Sequence, residues 1–417
     1  MSNRSGFSQA VAALGYADYR RFASSLLLTS FGVQLLQTVV FWQAYELTGS
    51  AFLIGLTGVA RAVPHIVLSM AGGVVADRIH RVRLIQSGQI ANAVLVFALG
   101  AVTITGHVQL WHIFAATVLN SAFTAVTQPA RTALIPQLVP RGNLVNAVAL
   151  NATISQMSQI VGPALAGVAI ASLGIGAAYL INGALYVAAM LAIIGMRVQA
   201  RPVATGDSPW ECLNEGMRFV LRKPAIMSLL SLDLAQTVFG SYRGLLPIIA
   251  TSLGVGAAGY GLLSAAPGVG AVLGAALILG LGDMPYKGLY TIFGVLAYCG
   301  SVVLLALSPW FTLALIAAGL TGAMNSVQVI PRNSAILTIS PDALRGRVEA
   351  FRSMLAGGGP PVGYTAMGAL GAAVGAPVGL VLGSMACIVI VAGIGLTRRE
   401  LHDRDLGAVP DEALPSA

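Results

Sequence analysis

About twelve apolar segments of roughly 20 residues run through the chain, each long enough to cross a bilayer. Lipid offers no water to a backbone, so each segment must satisfy its own N–H and C=O groups, which means helix. The loops between them sort by charge. Those near Arg78, Arg141, Arg201, Lys287 and Arg345 are basic. The intervening ones, such as Thr48-Gly49-Ser50-Ala51 and Gly106-His107-Val108-Gln109, carry no Lys or Arg. Short basic loops stay in the cytoplasm. The expectation is an all-α polytopic protein of the cytoplasmic (inner) membrane. An even number of spans puts both termini on one face, and Arg20, Arg21, Arg398 and Arg399 mark that face as cytoplasmic.

Composition agrees. The chain is 56% hydrophobic and 9% charged, against about 25% charged in a soluble domain, and a soluble fold this apolar would leave large sticky patches. The net charge of +8 lies on one membrane face, where anionic lipid attracts it; it does not point to nucleic acid. Cys212, Cys299 and Cys387 have neither metal nor redox spacing. The first twenty residues lack a cleavable signal, so the first span is its own insertion signal. No Gly-x-x-x-x-Gly-Lys loop points to ATP. No His/Cys cluster suggests a metal and no Ser/His/Asp set suggests a hydrolase, so neither a cofactor nor an enzymatic activity is expected.

The spans fall into two sets of six, dividing the chain into a bundle at 1–197, a cytoplasmic segment at 198–223, a second bundle at 224–400 and a tail at 401–417. Within the middle segment Arg201–Pro209 reads as a linker. Trp210–Leu221 carries apolar residues on one side at helical spacing, as a helix lying along the membrane surface would. The halves look like copies. Pro129-Ala130-Arg131-Thr132-Ala133-Leu134 matches Pro331-Arg332-Asn333-Ser334-Ala335-Ile336 at the end of span four of each half, and Asp77 and Arg81 correspond weakly to Asp283 and Lys287. Parallel six-helix repeats are a transporter architecture, with the substrate path between the halves near mid-membrane.

The loop after span two reads Gly73-Val74-Val75-Ala76-Asp77-Arg78-Ile79-His80-Arg81-Val82-Arg83. It resembles the Gly-x-x-x-Asp-Arg-x-x-Arg signature of the major facilitator superfamily, with His80 where that family often has Gly. A plainer reading is that these arginines only enforce topology. The resemblance implies the major facilitator fold, and a cytoplasmic latch made by Gly73, Asp77, Arg78 and Arg81 that holds the outward-facing state. Pro129–Pro136, Asn146–Asn151 and Leu344-Arg345-Gly346-Arg347-Val348 are similar to one branch, the siderophore and multidrug exporters related to the enterobactin exporter. Relatives in that branch commonly place an acid after the Gly that matches Gly32; here Val33 and Gln34 follow. Span five carries Gly162-Pro163-Ala164-Leu165-Ala166-Gly167, similar to an antiporter signature. Pro163 removes a backbone donor and bends a helix, while Gly162 and Gly167 permit close approach; a plain packing kink explains it equally.

Ionisable residues inside spans are costly and usually functional. Asp233 is the only acid near mid-membrane, and Arg61 enters from the opposite face to a similar depth of roughly 13–15 Å. Asp233 is therefore expected to carry a coupling proton, with Arg61 as its counter-charge. The alternative is a permanent ion pair that orders the fold. His65, one turn after Arg61, is a titratable candidate beside them, and Arg243 is expected closer to the outer end of span seven. Polar residues also recur at helical spacing in the spans that line the cavity of this fold. Gln34, Gln37, Asn120, Thr124, Gln236, Asn325 and Gln328 predict a wet central cavity with mostly neutral walls, or else hydrogen bonds between helices.

The sequence thus predicts a secondary active exporter of small amphipathic molecules, siderophore- or drug-like, driven by proton antiport. Its partners are a small-molecule substrate, protons and membrane lipid. A lysolipid or metabolite transporter of the same fold is one alternative. A polytopic lipid-modifying membrane enzyme is another, and it would need a clustered catalytic pair at one interface.

Overall fold

The computed structural model describes residues 12–196, 209–282, 284–341, 344–404 and 406, with the backbone alone at 69–78, 209–214 and 350. The first half contains α1 (Ala17–Thr48), α2 (Ala51–Arg78), α3 (Arg81–Ile104), α4 (Leu110–Leu138), α5 (144–173) and α6 (175–192). A short helix α7 (Pro209–Arg222) follows. The second half contains α8 (Pro224–Phe239) and α9 (Leu246–Ser252), which together make one span. It continues with α10 (Gly256–Leu281), α11 (Lys287–Ala306), α12 (Phe311–Ile339), α13 (Arg345–Val374) and α14 (Ala376–Thr397). Among the described residues nine segments are long and apolar enough to cross a membrane, and one of them, Arg141–Ala192, holds two helices.

The α5–α6 and α13–α14 turns are built alike. Gly174 has φ +85° and Gly375 has φ +87°, a left-handed backbone that a side chain would strain. They stand at matching places in the two halves, which extends the internal repeat from motif to turn geometry.

The expected span seven, Ala225–Ala250, is not one continuous helix. It stops at Phe239, turns through Gly240-Ser241-Tyr242, makes a single 3-10 turn at Arg243–Leu245 and resumes as α9. A hydropathy reading passes over this break because the segment stays apolar on both sides of it.

Three apolar cores explain how the halves are joined. Near the termini-bearing end, which also carries the basic loops, each half has its own. Tyr19, Phe22, Ile85, Leu134 and Ala147 pack in the first half. Ile226, Leu229, Val295, Ile336 and Leu401 pack in the second. At the far end a single core takes residues from both, among them Leu35, Trp42, Ile54 and Tyr179 with Leu245, Tyr260, Leu263 and Met367. The halves are fused at one end and separate at the other.

The fused end depends on small residues. A Cβ on Gly58 would lie 2.3 Å from the Pro361 carbonyl oxygen, and one on Gly167 would lie 2.6 Å from the Gly261 Cα. Backbone therefore meets backbone between α2 and α13 and between α5 and α10, as small residues permit. Polar and aromatic contacts add to the seal. Tyr260 donates from its hydroxyl to the Thr38 carbonyl at 3.2 Å, and Trp42 stacks on Tyr260 with ring centroids 5.3 Å apart.

The segment expected to be helical before the second half forms α7. It packs on the start of α13, where Glu215 pairs with Arg347 and a Cβ on Gly216 would lie 2.3 Å from the Arg347 carbonyl oxygen. The linker at 197–208 and the tail beyond 406 lie outside the described residues.

Candidate functional site

Between the halves lies a cavity of about 580 Å³, within the range that holds a drug-sized ligand. Its walls come from both halves. Gln34, Gln37, Arg61, Asn120 and Thr124 line one side, and Gln236, Tyr242, Arg243, Asn325 and Tyr364 line the other.

Six of the seven polar residues expected to line a cavity do so: Gln34, Gln37, Asn120, Thr124, Gln236 and Asn325. Two of them bond to each other and a third to residues behind the wall. Gln236 Nε2 donates to Asn325 Oδ1 at 3.0 Å, and Asn120 Nδ2 donates to Asn92 Oδ1 at 2.8 Å and to the Tyr186 hydroxyl at 3.2 Å. Gln328 is the exception. It is fully buried and turned away from the cavity, where its Oε1 accepts from Arg332 Nη1 at 3.2 Å. Three residues along a helix rotate a side chain by about 60°, enough to carry it from the wall beside Asn325 into the packing behind it.

Asp233 and Arg61 do not meet. Asp233 pairs with Arg332 of α12, with side chains 19% and 3% exposed, respectively. Arg61 donates from Nη1 to Gln37 Oε1 at 2.7 Å. The two side chains turn to different partners. Arg352 joins the surroundings of Asp233 from α13, itself held by Glu349, with Nε donating to Oε2 at 2.7 Å. Asp233 is not part of the cavity wall, and no Asp or Glu occurs among the described lining residues.

Arg243 is not near the outer end of a straight helix. The break after Phe239 carries it into the cavity, on a wall shared with Tyr242, Tyr298 and Tyr364. The polar lining is mostly neutral, but Arg61 and Arg243 add two cations to it, and His65 also faces the space. Arg332, Arg243 and Tyr364 were underweighted in the sequence. A signal for Arg332 exists, since it follows Pro331 in the repeated segment as a lone cation in an apolar span.

The remaining expectations fall as follows. Arg81 is buried and donates from Nη1 to the Ala133 carbonyl at 3.3 Å, tying the start of α3 to α4. The side chains of Gly73, Asp77 and Arg78, and Asp283, lie outside the described residues. Helix α5 stays helical through Pro163. A Cβ on Gly162 would lie 2.5 Å from the Gln34 Cβ, so this glycine seats α1 against α5, while Gly167 seats α10.

A second chamber of about 500 Å³ opens within the first half and shares Gln34 and Thr124 with the main cavity. Arg131, 6% exposed, lines it with Gln89, Gln128 and Asn151.

Known proteins place this architecture. The family described as transmembrane secretion effector matches residues 9–414. The enterobactin exporter EntS of Shigella boydii serotype 18 (strain CDC 3083-94 / BS512) is 26% identical over 360 residues, covering 84% of this chain and 83% of that one. EntS of Escherichia coli O81 (strain ED1a) is likewise 26% identical, with the same coverage. Among solved structures, a bacterial homolog of the human lysosomal transporter Spinster, inward-facing and occupied, has a TM-score of 0.74 at 15% identity, covering 95% of this chain and 99% of its own. The nucleoside transporter NupG has a TM-score of 0.70 at 15% identity, covering 91% and 98%. Two six-helix halves fused at one end around a polar cavity, with a family match along nearly the whole length, identify the chain as a major facilitator superfamily transporter of the transmembrane secretion effector family.

Proposed function

We propose that this transporter exports small amphipathic molecules across the cytoplasmic membrane in exchange for protons. The observation that carries this reading is the cavity. It lies between two pseudo-symmetric halves that share a core at one end and have separate cores at the other. Rocking of such halves about a central site is how this architecture alternates access. With the basic loops in the cytoplasm, the separated end faces the cell interior, where an exporter loads. The relatives EntS are exporters by name, which supports the direction. Tyr242, Tyr298 and Tyr364 beside Gln and Asn suit a molecule with apolar and polar parts.

In this reading Asp233 is the proton carrier, with Arg332 as its counter-charge in place of Arg61. Protonation of Asp233 cancels the charge that holds Arg332 and frees α8 to shift against α12; loss of the proton restores the pair. Asp77, Arg78 and Arg81 act as the latch of the outward-facing state.

Proteoliposomes with an imposed proton gradient test the proposal. The wild-type chain concentrates substrate against its gradient. Asp233→Asn abolishes uphill movement and retains energy-independent counterflow. Uphill movement with normal proton flux in Asp233→Asn puts the coupling site elsewhere, and the absence of counterflow in the wild-type chain rules out transport of the compounds tried.

A further inference from the structure

We infer that the molecule carried is an organic anion, a carboxylate or phosphate ester, whose negative group docks between Arg61 and Arg243. This rests on reading the central cavity as the transport site.

The observation is a charge imbalance in the wall. Arg61 and Arg243 both line the cavity, and no carboxylate lines it among the described residues. Arg61 reaches only a neutral acceptor, Gln37 Oε1 at 2.7 Å. No described carboxylate forms an ion pair with Arg61 or Arg243, whereas Arg21, Arg332, Arg347 and Arg352 each have one, with Asp18, Asp233, Glu215 and Glu349 respectively. The buried Arg332 thus has an internal counter-charge, and the two arginines that face the cavity have none among the described residues. Both arginines are half-buried, and a partly desolvated charge without a counter-charge carries part of the cost of a buried one, so its retention in a cavity wall points to a counter-charge that arrives from outside. A guanidinium presents a planar fork that fits a carboxylate or phosphate with two parallel bonds.

The lining continues in kind toward the basic end. Arg131 likewise pairs with no described carboxylate, and its Nη2 donates to Thr29 Oγ1 at 3.4 Å. It lines the side chamber that shares Gln34 and Thr124 with the cavity. An anion entering from that end meets one cation before the other two.

The two docking arginines stand on different halves. Arg61 belongs to α2; Arg243 sits at the break of span seven. Gln37, the partner of Arg61, shares a small recess with Arg243. Without a bound anion, two like charges on different halves line the same cavity and oppose closure. A bound anion cancels that repulsion and bonds to both, so occupancy itself favours the closed state, which is the differential interaction a ligand needs to shift a conformational equilibrium.

The test uses the full-length chain in nanodiscs and thermal unfolding with four probes of similar size. These are 2-naphthoate, 2-naphthyl phosphate, the uncharged 2-naphthamide and the cationic 2-naphthylmethylammonium. At least one anion is expected to stabilise the protein at a concentration about tenfold lower than the amide, and comparison of the two anions separates carboxylate from phosphate. Arg61→Gln and Arg243→Gln lose that preference, while Arg61→Lys and Arg243→Lys retain part of it. Stabilisation by the amide or the ammonium equal to that by both anions, failure of both anions to stabilise, or an anion preference that survives in the Arg61→Gln/Arg243→Gln double variant overturns the inference. Counterflow in proteoliposomes measured in parallel keeps the two readings apart: flux without anion preference overturns the anion site alone, whereas anion preference without flux supports the site and counts against transport.

Discussion

At the scale of single residues, the decisive pairing is Asp233 with Arg332. A pair this buried is poor evidence of stability as such, yet removing one partner strands the other. Arg332→Gln leaves Asp233 without its counter-charge and is expected to destabilise the protein by about 3 kcal/mol. The double variant Asp233→Asn/Arg332→Gln recovers most of that, since it leaves no uncompensated charge. A double-mutant cycle on thermal unfolding in detergent checks this, and additive losses would mean that the two side chains act independently. Both residues could be named from the sequence as lone charges in apolar spans, but their partnership could not. Depth along a helix follows from counting residues, which is why Arg61 looked suitable for Asp233. Rotation about the helix axis and the tilt of its neighbours decide which charges touch, and neither is encoded locally.

At the scale of elements, the contacts between α2 and α13 and between α5 and α10 are where the backbone of one half meets that of the other. They are backbone contacts across glycines, so added volume cannot be absorbed by a rotamer change. Gly58→Val is expected to cost about 1–3 kcal/mol through overpacking and to push α2 from α13 at the fused end. Spin labels on residues 52 and 370, measured by pulsed electron resonance, are expected to report a longer mean distance in this variant than in wild type. An unchanged distribution would show that the contact yields without parting. The break in span seven is the other element of consequence. Apolar residues flank it on both sides, and its local marks are Gly240, Ser241 and Gly244 with Pro247 beyond; it turns Arg243 into the cavity and changes the chemistry of the wall.

At the scale of the whole molecule, a pseudo-symmetric pair of bundles meets at one end and separates at the other. Single-cysteine variants in a background lacking native cysteines test which end faces which compartment. Gly106→Cys and Gly254→Cys are expected to react with an impermeant maleimide in intact cells, and Thr205→Cys only after lysis. Reaction at position 205 in intact cells would invert the topology. The number of spans, their helical nature, the charge bias of the loops and the doubling of six helices were legible in the sequence, because lipid demands apolar segments of set length and self-satisfied backbone, a demand each segment answers alone. Most of the cavity residues were legible for a related reason: in a mostly apolar chain, Gln and Asn at helical spacing mark the face that avoids lipid. What only the tertiary structure decided was which of those faces met. Gln328 turned into packing, Arg332 claimed Asp233, and Arg243 swung inward at the break, leaving the cavity with cations and no described acid. Those outcomes depend on contacts between helices far apart in the chain, and no single segment carries the information for them.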